Sequence, residues 1–276
     1  MADCSRRNSI PRTDPIRIEE IRRRFVGKRL GGKISYFERV DSTNQRAYAR
    51  AQEAEAAGEI FIAEEQTAGR GRLGRKWESP ANVNLYLSAI VKPRINAADL
   101  PLLTLTSAVA VAEVLGSFAA VPPEVKWPND VLIAGKKIAG ILTESACEAD
   151  RLLFAIVGIG VNLNLSLEST PEAIRRTATS LLTVNGAPVD RTLFACRLIE
   201  GLDRCYGELE QQGFVGLAER WTRLFSLRGK MVKVDGGGRS IYGTALGIDR
   251  DGALILEDQS GGRARALAGD VIPLDG

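Results

Sequence analysis

The chain has 276 residues, 45% of them hydrophobic, enough to bury one large core with a smaller unit beside it. Lys and Arg at 37 nearly balance Asp and Glu at 34, and a net charge of +3 does not by itself argue for a nucleic-acid partner. Histidine is absent, which excludes Ser-His-Asp and Cys-His catalysis, histidine metal ligation and any imidazole base, and the four cysteines (Cys4, Cys147, Cys196, Cys205) form no CxxC pair, so reduced thiols are expected.

Residues 1–15 are polar, without the apolar segment of a secretory signal, and read as mobile; no run of about 18 apolar residues follows, so a cytoplasmic protein without membrane contact is expected. Ile16 to Phe25 has the spacing of one amphipathic helix, Tyr36 to Val40 is extended, and Asn44 to Ala56 is an alanine-rich helix. The alternating strand Glu59 to Glu65 ends at a glycine-arginine loop, followed by a strand at Asn84 to Val91 and an apolar helix near Leu102 to Phe118. Three β-rich runs come next, Glu124 to Trp127, Lys137 to Ser145 and Leu152 to Asn164, with a turn signal at Ala134 to Lys136. From Arg191 to about Leu224 apolar residues recur at helical spacing, including a shorter stretch around Trp221. The last fifty residues change character: Met231 to Val234, Ile241 to Ile248, Ala253 to Glu257 and Ala264 to Leu267 are short strands between Gly and Asp turns, as in a small β-barrel or sandwich. A domain boundary is placed near Leu227, giving units 1–227 and 228–276.

Four segments carry chemistry. Gly69 to Trp77 (GRGRLGRKW) packs four cations and three glycines into nine positions. Glycine lets backbone approach a ligand and arginine offers a planar fork for phosphate or carboxylate oxygens, although a solvated basic loop or a nucleic-acid contact has the same composition. Lys126-Trp127-Pro128-Asn129-Asp130, then Lys136 to Gly140, concentrate polar groups at a proline-enforced turn; taken alone, Asn129 and Asp130 also suit an ordinary turn. Gly158-Ile159-Gly160-Val161-Asn162 sets two glycines inside an apolar strand, which weakens it unless another backbone or a ligand must come close; a dinucleotide fingerprint fails because the third glycine and the following helix are missing. Ser42-Thr43-Asn44 opens a helix and could be a simple N-cap.

Together these segments resemble the biotin protein ligase family, whose pattern is an STN segment, an EQTxGRGRxGRxW loop, KWPND followed by KxxG, and a GxGxN strand. All stand here in that order, at Ser42 to Asn44, Glu65 to Trp77, Lys126 to Asp130, Lys137 to Gly140 and Gly158 to Asn162. The resemblance implies an α/β (α+β) catalytic domain related to class II aminoacyl-tRNA synthetase cores, followed by a small all-β SH3-like barrel. It implies that biotin and ATP form biotinyl-AMP with Mg²⁺, and that the biotin then passes to a lysine of a biotin carboxyl carrier protein. Arg72 and Lys137 take the main electrostatic roles, and Asp130 is the group to orient, or accept a proton from, the attacking amine. Ser42, Thr43, Asn44, Gln66, Arg70, Gly71, Arg72, Lys137 and Gly140 are assigned to biotin. Arg72, Arg75, Lys76, Trp77, Lys126, Asn129 and Asn162 are assigned to ATP, with Asn162 also toward the metal. Only about forty residues precede the STN segment, so no operator-binding domain is expected; a homodimer is compatible with the resemblance. The rival expectations are a lipoate or octanoate ligase of related fold and, from another class, a nucleic-acid-binding module.

Overall fold

The computed structural model describes residues 14–53, 55–93, 95–149 and 151–274. Most of the mobile leader expected at 1–15, and Cys4 with it, lie outside the described residues. Residues 14 and 15 are placed, and the Asp14 carbonyl accepts from an Arg191 guanidinium N–H at 2.7 Å.

Helix α1 (Ile18–Phe25) buries Ile21 and Phe25 and turns its arginines outward, as its apolar spacing dictates. Strand β1 (Ile34–Val40), helix α2 (Thr43–Ala51), strands β2 (Ile60–Gln66) and β3 (Leu85–Val91) and helix α3 (Leu100–Gly116) follow. Next come β4 (Pro123–Lys126), β5 (Asp130–Ile133), β6 (Lys136–Glu148) and β7 (Arg151–Val161), then α4 (Glu172–Thr177), α5 (Leu181–Asn185), α6 (Arg191–Gln212) and α7 (Val215–Leu224). The first seven strands form one sheet in the order β1-β2-β3-β7-β6-β5-β4, with only β1 and β2 parallel. Ala134 and Gly135 both adopt positive φ between β5 and β6, the backbone a tight hairpin requires.

The two faces of this sheet differ, and the difference makes the site. On β7 the residues Ala155, Val157, Ile159 and Val161 point into the main core, where α3 and α6 pack. Phe154 and Ile156 point the other way, into a small cluster with Ala47 and Ala51 of α2. Beyond Ile156 that second face carries Gly158 and Gly160 instead of apolar bulk, so the sheet is left bare there. Helix α3 is apolar all round and accordingly buried. The stretch Ala97–Gly116 is long and apolar enough to cross a membrane by length and composition, but Asp99, Thr106, Ser107 and Glu113 interrupt its apolar run, and 67% of its 18-residue apolar window is buried inside the protein. Cys196 and Cys205 are buried free thiols on α6, and Cys147 is an exposed one.

The terminal strands β8 (Met231–Gly236), β9 (Arg239–Ile248), β10 (Leu254–Glu257), β11 (Arg263–Ala266) and β12 (Asp270–Pro273) form an antiparallel sheet in the order β11-β10-β9-β8-β12. The sheet stays open, since β11 and β12 do not pair, so the expected barrel is not closed; the strand arrangement is consistent with an SH3-like fold. Position 227 is not a break in the packing. Leu227 is buried, and the core cluster runs from Ile16 through to Val271. The KWPND tryptophan contributes to that continuity: buried Trp127 donates its Nε1–H to the Gly252 carbonyl at 3.0 Å.

Candidate active site

The bare patch is built from register. Ser88 of β3 pairs with Gly158, which pairs with Leu142 of β6; Tyr86 pairs with Gly160, which pairs with Gly140. A Cβ on Gly158 would stand 2.1 Å from Asn44 Oδ1, and one on Gly160 would stand 2.5 Å from the Trp77 indole. The close approach that two glycines in an apolar strand announce is therefore made by these two side chains.

Above the patch, α2 begins with Ser42, Thr43 and Asn44, all buried. Ser42 is the N-cap by backbone position, but its hydroxyl makes no cap bond, so the simple capping role does not account for it. The Thr43 N–H and hydroxyl both donate to Gln66 Oε1, at 2.9 and 3.0 Å, and Gln66 Nε2 donates to the Ser79 hydroxyl at 3.0 Å. Ser88 Oγ lies 2.7 Å from Thr43 Oγ1 and 2.6 Å from Asn44 Oδ1. Asn44 Nδ2 donates to the Leu142 carbonyl at 3.3 Å and to Glu144 Oε2 at 2.8 Å. The side chains of Thr43, Asn44, Gln66 and Ser88 are thus each held by a neighbour.

The glycine-arginine segment folds as a lid over the patch. Trp77 N–H donates to the Gly69 carbonyl at 3.0 Å, Gly71 N–H donates to the Arg75 carbonyl at 2.7 Å, and Leu73 and Gly74 at the tip adopt positive φ. Arg70 reaches both oxygens of Glu144 at 2.9 Å. Arg75 pairs with Asp270 at the start of β12, and Arg72 donates to Asn129 Oδ1 at 3.1 Å and, more weakly, to the Gly269 carbonyl at 3.5 Å. Burial pushes the Arg72 guanidinium below its ordinary pKa, with Asp270 and Asp130 acting the other way at longer range. It stays charged, as arginine does, while its hydrogen-bond acceptors among the described residues are neutral. Lys137 Nζ sits 2.6 Å from Asp130 Oδ1 and 5.3 Å from the centre of the Trp77 ring.

Two cavities meet here. The inner one, about 50 Å³, is lined by Ser42, Thr43, Asn44, Gln66, Arg70, Gly71, Arg72, Lys137 and Gly140, all the positions assigned to biotin. The outer one, about 1430 Å³, is lined among others by Arg72, Arg75, Lys76, Trp77, Lys126, Asn129 and Asn162, all the positions assigned to ATP. Asp130, Arg72 and Lys137 border the outer cavity, and the last two border both. The inner pocket is small because the Trp77 indole lies flat on Gly140 and Gly160, its Nε1 buried without a partner among the described residues. Small-ligand sites run to roughly 300–1,000 Å³, so a ligand in the inner pocket has to displace this ring. Asn162 lines the outer cavity, but its amide is turned inward: Nδ2 donates to the Thr179 carbonyl at 3.0 Å, and Oδ1 accepts weakly from Asn84 at 3.4 Å. The placement gives no support to the metal role expected of it. Three further residues, Ser88, Glu144 and Asp270, belong to the site; the period-two pattern of β3 and β6 puts the first two on the same face as the glycines, whereas nothing local in the sequence points to Asp270.

Residues 36–162 match the family model described as the biotin/lipoate A/B protein ligase family, and residues 228–272 match the biotin protein ligase C terminal domain. A biotin--[acetyl-CoA-carboxylase] ligase of Mycobacterium tuberculosis is 35% identical over 272 residues, covering 94% of this chain and 96% of the relative. A bifunctional ligase/repressor BirA of Bacillus spizizenii is 35% identical over 242 residues, 88% of this chain and 74% of the relative. Among solved structures, the biotin protein ligase from Aquifex aeolicus in complex with biotin and ATP superposes with a TM-score of 0.74 at 29% identity, covering 87% of this chain and 97% of that one. The fold and site define the biotin/lipoate ligase class, and within it the chain belongs to the biotin protein ligase family.

Proposed function

We propose that this chain is an ATP-dependent biotin protein ligase. A carboxylate oxygen of biotin attacks the α-phosphorus of ATP, giving biotinyl-AMP and pyrophosphate; the amine of a lysine on a biotin carboxyl carrier protein then attacks the acyl carbon and expels AMP. The observation that carries this reading is Arg72, a half-buried cation whose hydrogen-bond acceptors among the described residues are neutral, bordering both cavities beside Lys137. Two anions that must react repel each other, and fixed cations in a partly dehydrated site offset that repulsion without reorganising. Magnesium bound with the nucleotide supplies further positive charge on the phosphates. Among the described residues no cluster of three or more Asp, Glu or Cys offers it a cage, and the Asn162 amide is turned inward; the cations that meet the phosphate charge are Arg72 and Lys137 at the junction, with Arg75, Lys76 and Lys126 around the outer cavity.

Biotin in the inner pocket presents ureido N–H donors and a carbonyl acceptor to the fixed row of Thr43, Asn44, Gln66 and Ser88. The dithiolane of lipoate can use none of these. Sites built to hydrogen-bond a ligand reject an analogue lacking those groups by on the order of 10⁴-fold, and calorimetry with the two acids reads that ratio. Incubation of a carrier domain with biotin, ATP and Mg²⁺ tests the whole proposal: the intact mass should rise by one biotinyl group, and an unchanged mass rejects it.

In this scheme Asp130 holds Lys137 at the junction of the cavities during the first step and orients the carrier amine in the second. Asp130→Asn should therefore slow both half-reactions, by roughly tenfold or more; a variant slowed only in transfer leaves the Lys137 role unsupported. Occupation of the pocket displaces Trp77 and seats the lid on ligand phosphates. Cleavage at Arg70 to Arg75 by trypsin should be suppressed by biotin with ATP, and unchanged cleavage counts against lid closure.

The proposed division of labour keeps 1–227 as the biotin- and ATP-binding unit and 228–276 as the terminal unit. Through Asp270 and the Gly269 carbonyl the second unit supports the lid of the first.

A further inference from the structure

We propose that Glu144 is a positioning residue: the socket in which Arg70, at the near end of the lid, pivots, and hence the group that retains the acyl-adenylate between the two half-reactions. The proposal rests on the biotin ligase reading above. Glu144 lies on β6, the sheet strand that carries Lys137 and Gly140, and its carboxylate is shared between two parts of the molecule. Oε2 accepts from Asn44 Nδ2 at 2.8 Å on the fixed side, and both oxygens accept from Arg70 at 2.9 Å on the lid side.

The fixed side is rigid. Asn44 is only 4% exposed, its Oδ1 is 2.6 Å from the Ser88 hydroxyl, and Gly158 leaves no room behind it. The lid side is not: the segment from Gly71 to Lys76 is largely exposed, and Trp77 occupies floor that a ligand must clear. A ring that swings out while its loop stays over the pocket needs one end of the loop fixed. One guanidinium nitrogen, Arg70 Nη2, contacts both carboxylate oxygens, which holds that end in position while leaving the guanidinium free to turn, as a pivot requires. The other lid pair, Arg75 with Asp270, has an arginine side chain that is 63% exposed and lies beyond the tip, where it can steady the lid but not define its hinge.

Glu144→Gln separates the two functions of the carboxylate. The amide oxygen still accepts from Asn44, while the charge that attracts Arg70 is removed. Single-turnover formation of biotinyl-AMP at saturating biotin should change far less than its escape, measured as transfer of bound adenylate to a trap. Escape should accelerate by roughly fivefold, in the range of a partly exposed ion pair. Arg70→Gln should accelerate escape to a similar extent, and the double variant no further than either single one. A melting temperature near that of the parent accompanies the expected result; a purely structural loss would lower it and slow formation and transfer together. Wild-type protein that forms no adenylate refutes the ligase reading itself. Wild-type protein that forms and retains it, with Glu144→Gln retaining it equally well or with the two single effects adding in the double variant, overturns the role of Glu144 alone.

Discussion

Lys137→Ala should reduce single-turnover formation of biotinyl-AMP by about 10²–10³-fold, the loss found when a fixed donor aimed at developing charge is removed. Lys137 is held rather than merely present: its Nζ is 2.6 Å from Asp130 Oδ1, and it lies against Gly140 of the floor where the inner and outer cavities join. A cation fixed there meets both the biotin carboxylate and the α-phosphate. Lys137→Arg should recover little, because the larger planar group meets the Gly140 floor that a slender ammonium clears and cannot keep the same place beside Asp130. Affinity for biotin should fall less than the rate. A rate within a few-fold of the parent would show that the positive charge at this junction is not what drives the first step.

Gly158→Ala should weaken biotin binding by on the order of 10²-fold, from the usual 1–3 kcal/mol of overpacking together with lost hydrogen bonds. The added methyl would stand 2.1 Å from Asn44 Oδ1, and Asn44 has nowhere to go while Ser88, Leu142 and Glu144 hold its amide. Either the helix start shifts or the amide turns away, and in both cases the polar row facing the ureido ring loses its order. Calorimetry with biotin reads the loss directly; binding within threefold of the parent would mean that the Asn44 amide does not contact the ligand.

Much of this site is legible in the sequence because its residues come in short runs with a local reason. STN opens a helix, the arginine-glycine run has no structural use, and two glycines in an apolar strand announce a close approach. The strands and helices that position these runs follow from periodicity, and their cores confirm the faces: β7 alternates between a main core and a glycine-bearing face. What the runs lack is partners distant in the chain. Glu144 and Ser88 become visible only when β3, β7 and β6 are laid in register, and Asp270 only when the terminal sheet is packed against the lid. Strand β12 escaped notice because DVIP is short and ends in proline, and α4 and α5 because five- or six-residue helices barely establish a period. Trp127, within the KWPND segment, is a buried tie to Gly252, a role that no motif encodes.

The central claim is that a cationic lid and an opposing lysine neutralise two repelling acids so that an acyl phosphate forms. Exchange of labelled pyrophosphate into ATP measures that step without the carrier. Exchange should require biotin, should not be supported by lipoate, and should be nearly lost in Arg72→Ala and Lys137→Ala. Absence of exchange with the parent protein and biotin, or undiminished exchange in both variants, would contradict the account.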